Sequence, residues 1–402
     1  MYTLLENIDI PARRYSPRNV IDTMSGGIQM AGPLQGVKII EMAGLGPAPF
    51  ACMLLADLGA EVICIDRPVS VSAKSDENRT NVLRRGKKSI VLDMKRPAAV
   101  QTALRLISTA DVVIEGFRPG VMERLGLGPD ICLTQNPALV FGRMTGWGQT
   151  GPLAQAAGHD INYIALSGAL HAVGTQEQPI VPLNLVGDFG GGAMLLVAGV
   201  LSAVIHARAT GKGQIVDAAM TDGSALLMSM MYGFMASGQW KDQRASNMLD
   251  GGAHFYGTYQ CSDKKWVAIG SIEPQFYQLL IEKSGLENVD MHAQRNASTW
   301  PEMKARLVQV FATRTRNEWC EMMEGTDVCF APVLGMQEAA SHPHNLARKT
   351  FCEIDGVLQP SPAPRFSDTP ANISYPPVQT GTHTIEILGK LGLTESEIKA
   401  LV

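Results

Sequence analysis

The sequence predicts an α/β fold, with a mostly parallel sheet built first and a smaller α+β domain after it. Three observations carry the prediction. Apolar runs of strand length alternate with helix-patterned segments from Gly36 to Met144, and a glycine-rich turn joins the first strand to the first helix. Near Gly252 the texture changes to a hairpin followed by amphipathic helices. At roughly 100 to 200 residues per domain, 402 residues suggest two or three cores, and two are expected.

Residues 1–32 lack periodicity, run into SGGIQMAGP and read as a loosely attached extension. GVKIIEMAG is then a strand, PAPFACMLLADLG a helix closed by Gly59, and EVICIDRP a second strand. SIVLDMK, a helix over RPAAVQTALRLIST, and the strands DVVIEG and ALVFGRM continue the alternation. A helix over 160–172 and a long buried helix near 190–209 follow, the second stopped by TGKGQ. FYGTYQ, SDKK and WVAIGS then form a hairpin, and PQFYQLLIEKSG and WPEMKARLVQVFATR are amphipathic helices. LQPSPAPRFSDTPANISYPP is an extended arm, and LTESEIKALV ends the chain as a capped helix.

Composition excludes several function classes. With 46% hydrophobic and 18% charged residues the chain has the balance of a globular enzyme, not of a disordered segment. A net charge of −4 and a pI near 6.1 leave no basic field for nucleic acid or anionic lipid. Seven cysteines, an odd number without C-x-x-C, argue against a disulfide framework or a zinc site and point to a reducing, cytoplasmic compartment. The opening MYTLLENIDIPARRYSPRN has no apolar h-region, so secretion is not expected, and IKALV is not an S-K-L type signal. The longest apolar run, Phe189 to Ile205, holds four glycines and reads as a buried helix, not a membrane span.

Each chemical motif has a plain structural reading beside a functional one. GLGPAP places Gly44 and Gly46 after a strand with Asp66 about 20 residues on, but Pro49 replaces the third glycine of a dinucleotide fingerprint. It is either a turn that only packs helix on sheet or a switch point for an adenosine-bearing ligand. Arg67, Arg84, Arg85, Lys87, Lys88, Lys95, Arg118 and Arg124 fall at strand ends or in loops. They are either solvated charges or a cationic edge suited to phosphates. DFGGG lacks the partner motifs of a kinase, G-x-S-x-G is absent, and HPH at 342–344 is a weak metal cue. In AGHDINYIALSG, Asp160 reads as an N-cap and His159 as a satisfied histidine, and Asp188 likewise precedes a helix. Alternatively His159 and Asp188, at two helix starts flanked by glycines, grip a reacting carbon from two sides.

Longer strings are more specific. GVKIIEMAGLGPAPFACMLLADLGAEVICIDRP, GKKSIVLDMK, ADVVIEGFRPGVMERLGLG, TGWGQTGP, AGHDINYIALSG, PLNLVGDFGGG and GKGQIVDAAMTDG resemble the class III coenzyme A transferase superfamily over residues 31–400. GHDINY and GSIEPQFY are similar to its racemase branch, which acts on 2-methylacyl thioesters of coenzyme A. The resemblance implies a large Rossmann-like parallel-sheet domain formed from both chain ends, a smaller α+β domain, and an interlocked homodimer whose active sites lie between protomers. Its boundaries here are a large coenzyme A-binding domain over 33–225, a linker over 226–253, the small domain over 254–332, and a return linker with the C-terminal part of the large domain over 333–402.

By the same resemblance His159 and Asp188 are an acid/base pair and Glu273 hydrogen-bonds His159. Leu45, Arg67, Leu92, Lys95 and Arg124 are implied coenzyme A contacts, with Asp160 and Tyr163 near the thioester. The superfamily's transferases use an aspartate corresponding to Asp188 as a nucleophile and generally lack the histidine, so His159 is the feature that separates the two activities. The implied reaction removes and returns the α-proton through an enolate held at the helix start near Asp160. It needs neither metal nor redox cofactor, coenzyme A being part of the substrate. The methionine-rich MTDGSALLMSMMYGFM either lines an acyl pocket or only packs a core or dimer.

Overall fold

Strands of a parallel sheet are covered on both faces and are therefore apolar almost throughout. Five segments are buried in this way: β1 (Lys38–Met42), β2 (Glu61–Asp66), β3 (Lys87–Val91), β4 (Val112–Glu115) and β5 (Val140–Thr145), with Glu41, Lys87 and Arg143 among the buried charged exceptions. The computed structural model, which describes residues 32–68 and 80–402, adds a sixth, β6 (Ile215–Ala219). Pairing is parallel throughout, in the order β3-β2-β1-β4-β5-β6, the doubly wound Rossmann arrangement. The extension assigned to residues 1–32 lies outside the described residues except for Gly32.

Side chains alternate across the sheet, so neighbours on one strand enter different cores. Ile39, Val62, Val112 and Val140 face α1 (Pro47–Asp57) and a later helix bearing Leu196 and Val200. Ile40, Ile63, Val113 and Phe141 face α2 (Pro97–Ser108), α3 (Val121–Arg124) and α4 (Pro129–Gln135). Proline at the first positions of α1, α2 and α4 starts each helix where a missing N–H costs nothing.

Beyond β5 the helix expected over 160–172 is two helices, α5 (Asp160–Leu166) and α6 (Ala169–Ala172), broken at Gly168, which is left-handed with φ 86°. The long apolar helix begins as a π-helical stretch, Leu185–Ala193, and runs on as α7 (Met194–Thr210) until the left-handed Gly211. Leu185–Thr210 is long and apolar enough to cross a membrane by length and composition, but Leu196, Val197, Val200, Ala203 and Val204 seat α7 on the sheet as a core helix. After β6 come α8 (Met220–Leu227) and α9 (Ser229–Ala236), so the segment expected as a linker starts helical.

A second core forms around an antiparallel sheet of β7 (Tyr256–Gln260), β8 (Trp266–Gly270) and β9 (Phe330–Val333). Three helices, α10 (Pro274–Ser284), α11 (Trp300–Phe311) and α12 (Arg316–Met323), cover it, with Tyr259 of the sheet stacked on Phe311 and Phe311 edge-on to Trp319. The chain returns through α13 (Met336–Ser341), α14 (Pro343–Arg348) and a hairpin of β10 (Phe351–Ile354) and β11 (Val357–Pro360). The proline-rich arm thus starts as a strand. Buried Arg85 clamps it to the large sheet, reaching Asp57 at 2.6 Å, the Gln359 side chain at 2.9 Å and the Pro360 carbonyl at 2.7 Å. Finally α15 (Thr384–Lys390) and α16 (Glu395–Lys399), the latter opened by a Thr394/Glu397 capping box, bring Ile387, Leu388 and Ile398 into the core beside Ile40. The C-terminal helices of the described chain therefore pack back onto the large sheet that its first strands form.

Candidate active site

In a doubly wound sheet the loops after the two central strands diverge to opposite faces and leave a crevice between them. Here those strands are β1 and β4. The turn after β1 is Gly44-Leu45-Gly46, with Gly46 at φ 70° so that the chain doubles back into Pro47. A Cβ on Gly46 would come 3.3 Å from Asp188 Oδ2, so the turn both needs glycine and abuts the aspartate. Leu45 projects from it, 94% exposed.

One cavity of about 630 Å³ opens against this turn, and His159 and Asp188 both line it. Leu45, Arg118, Trp147, Tyr163 and Met220 complete much of its wall. His159, not Asp160, is the N-cap of α5, and its N–H donates to Asn162 Oδ1 at 3.0 Å. That places the imidazole on the exposed side of the helix start. Tyr163, one turn on, is buried edge-on against Trp147 and donates its hydroxyl to the Gly158 carbonyl, fixing the loop that leads into His159.

Asp188 arrives from the π-helical stretch. Its Oδ2 accepts from the Asn184 amide at 3.2 Å, and its backbone N–H donates to Asp160 Oδ1 at 2.6 Å. Partial burial raises the Asp188 carboxyl above the usual carboxylate range; the Asn184 hydrogen bond opposes this, the Asp160 charge adds to it, and His159 counters it weakly. The two groups therefore feel one another across the cavity, and one of them is shifted toward holding a proton.

A second cavity, about 480 Å³, adjoins the first and shares Phe117 with it. Arg67, Leu92 and Lys95 line it at the carboxyl ends of β2 and β3, and Arg67 lies over the Phe117 ring at 5.7 Å. Among the described residues neither Arg67 nor Lys95 has an ion-pair partner. Arg124 is exposed on α3, between Val121 and Leu125 of the same wall. The cluster from Arg84 to Lys88 is structural. Arg84 forks onto Asp66 at 3.0 and 2.7 Å, Lys87 pairs with Glu41 at 2.7 Å and Lys88 with Glu61 at 2.6 Å. Asp66 also accepts from Ser89 at 2.6 Å, so it is not free to hold a ribose as a dinucleotide fingerprint requires.

Glu273 stands elsewhere. It is the exposed N-cap of α10, lines neither cavity, and acts on Cys329, whose thiol burial raises first and Glu273 second. Of the HPH cue, His342 pairs with Glu324 at 2.8 Å, and no metal-binding group of three His, Cys, Asp or Glu side chains occurs among the described residues.

The family model for CoA-transferase family III matches residues 34–384. The chain belongs to this family. Within CoA-transferase family III it is similar to the α-methylacyl-CoA racemase of Mus musculus, 45% identical over 92% of this chain and 96% of the mouse protein. It is 44% identical to the human protein of the same name over the same shares. Among solved structures, Rv3272 of M. tuberculosis superposes with a TM-score of 0.73 at 27% identity, over 88% of this chain and 98% of that one. A CAIB/BAIF family protein from Brucella suis reaches 0.77 at 24% identity, over 90% and 100%, and bears on the fold alone.

Proposed function

We propose that the protein is a racemase of 2-methylacyl thioesters of coenzyme A, interconverting the 2R and 2S forms by removing and returning the α-proton. One observation carries this reading: two proton-transfer groups from separate elements, His159 and Asp188, line the same cavity. Inverting a carbon needs a base on one face and an acid on the other, and residues from different elements can flank it. Neutral His159 takes the proton from one enantiomer while protonated Asp188 supplies one to the opposite face, with the roles exchanged in reverse. The raised carboxyl of Asp188 suits a group that must hold a proton. The Asp160 and Ile161 N–H groups at the start of α5, which have no intrahelical partner, receive the enolate oxygen, the Asn162 N–H being already given to the His159 carbonyl.

The adjoining cavity takes the nucleotide part of coenzyme A, with Arg67 and Lys95 on phosphate and Arg124 at its rim. Leu45 lines the acyl cavity beside the Asp188 turn, Phe117 joins it to the nucleotide cavity, Leu92 lines the nucleotide end, and Met220 and Trp147 give the acyl end apolar walls. Glu273 serves the His159 of a partner subunit in an interlocked homodimer. Exposed Leu166, Leu226, Leu227, Met230 and Tyr232, on α5, α8 and α9, support such a self-interface. The reaction calls on no metal or redox cofactor, and seven free thiols suit a reducing, cytoplasmic setting.

The test uses one substrate alone. (2S)-2-Methyldecanoyl-CoA incubated with the enzyme in D₂O, with no free acid present, should yield both enantiomers carrying deuterium at C2. If C2 stays unlabelled until an acceptor acid is added, and coenzyme A then moves to that acid, Asp188 is the nucleophile of a transferase instead.

A further inference from the structure

Asp160 is a buried carboxylate with no cation to neutralise it. It is 6% exposed, its Oδ1 accepts the Asp188 N–H at 2.6 Å across 28 positions of sequence, and its Oδ2 is buried without a partner. No ion pair reaches it among the described residues. The carboxylate also occupies the space a side chain would need on the residue before Asp188: a Cβ on Gly187 would fall 2.5 Å from Asp160 Oδ1. Anchored on the Asp188 backbone, the Asp160 charge also opposes ionisation of the Asp188 carboxyl.

We propose that Asp160 is a positioning residue acting through Asp188: it pins the π-helical turn to α5, and its unneutralised charge keeps Asp188 able to carry the proton it returns to carbon. The inference rests on the racemase reading for the use of that proton, but not for the coupling itself. An ordinary carboxyl is largely ionised at neutral pH and a poor proton donor, so a neighbour that holds the proton on it raises the working fraction. The direction of the Asp188 shift agrees, with burial as its largest cause and Asp160 contributing in the same sense.

The groups facing Asp188 are few. His159 and Asp160 act on it from the start of α5, and the Tyr163 phenol, itself raised by burial and then by Asp188, stands one turn further on. Arg118 shares the cavity from the loop after β4, while α1 and α8 present Pro47 and Met220 there.

Asp160→Asn keeps the shape and the Oδ1 acceptor, removes the charge and turns the buried Oδ2 into an amide NH₂. The assay is deuterium exchange at C2 of 2-methyldecanoyl-CoA as kcat/KM against pH, whose acid limb reports the Asp188 carboxyl. That limb should move to lower pH by about one unit, with exchange at pH 7 falling about tenfold. A rate lowered equally at every pH makes Asp160 a brace only and overturns the proposal, as does an unchanged profile. Carboxyl ¹³C NMR, assigned with Asp188→Asn, reads the same titration without turnover, and an unmoved Asp188 resonance overturns the coupling directly. A wild type that exchanges no α-proton would sink the racemase reading and leave this titration to decide the coupling. Should Asp160→Asn fold poorly by circular dichroism, Asp160→Ser removes the same charge in a smaller side chain, and the same limb and resonance are read.

Discussion

Lys87→Met tests what lies under the glycine turn. Lys87 and Glu41 are 4% and 2% exposed, and the ammonium donates to Glu41 Oε2 at 2.7 Å and to the Pro49 carbonyl at 2.8 Å. Removing it strands a carboxylate where water cannot reach, a change that typically costs about 3 to 5 kcal/mol. The folded protein has one escape, to protonate Glu41, whose carboxyl burial already raises against the opposing pull of Lys87. At about 1.4 kcal/mol per pH unit above an unfolded value near 4.3, that escape costs about 5 kcal/mol at pH 8 and about 2 kcal/mol at pH 5.5. The sign follows: a carboxyl raised by folding costs nothing below its unfolded pKa, and the penalty grows as pH rises toward the folded value. Urea unfolding by far-UV circular dichroism at both pH values should therefore show the variant losing more at pH 8. Glu41→Leu combined with Lys87→Met should recover most of the loss. An equal loss at the two pH values, or a double variant weaker than the single one, would refute the assignment of a buried, mutually dependent pair.

Three other outcomes are expected. His159→Ala should cut turnover at least about a hundredfold while coenzyme A still binds, measured by isothermal titration; near-wild-type turnover removes His159 from the chemistry. Arg67→Ala and Lys95→Ala should raise KM with kcat nearly kept, since phosphate contacts hold ground and transition states alike, and the reverse pattern would mean the nucleotide lies elsewhere. Gly187→Ala places a methyl 2.5 Å from Asp160 Oδ1, so exchange at C2 should fall at least about tenfold with the secondary structure unchanged; full activity would show that the π-helical turn has room to shift.

Strands β1 to β5 were legible because each carries a buried apolar stretch, such as Ile39–Ile40, Val62–Ile65 or Ile90–Val91, even though Glu41, Lys87 and Arg143 interrupt them, whereas β6 alternates exposed and half-buried positions through Asp217 at a sheet edge, and β9 is four residues with a proline inside. The basic run misled for a different reason. Asp66, Asp57, Glu41 and Glu61, which neutralise Arg84, Arg85, Lys87 and Lys88, lie on elements far upstream, and only the folded sheet brings them across. His159 and Asp188 could be singled out from their glycine-flanked helix starts, but nothing in the spacing links Asp160 to the Asp188 N–H. Helix phase was also off by one at this point: the extended backbone of His159 takes the capping position, and Asp160 turns inward. Glu273 carried no signal of its own, since within one chain it meets neither His159 nor the cavity.

The return of the chain to its first sheet has a consequence for biosynthesis. Ile387, Leu388, Ile398 and Leu401 complete the apolar layer that Ile40, Ile63 and Val113 begin. A ribosome releases the N-terminal strands hundreds of residues before it makes the side chains that cover them, whereas the aromatic core around Tyr259 and Trp319 is finished as soon as β9 emerges. The segment translated second thus closes first, while the sheet face that α2, α3 and α4 already cover gains its remaining apolar cover only when Ile387, Leu388 and Ile398 are made.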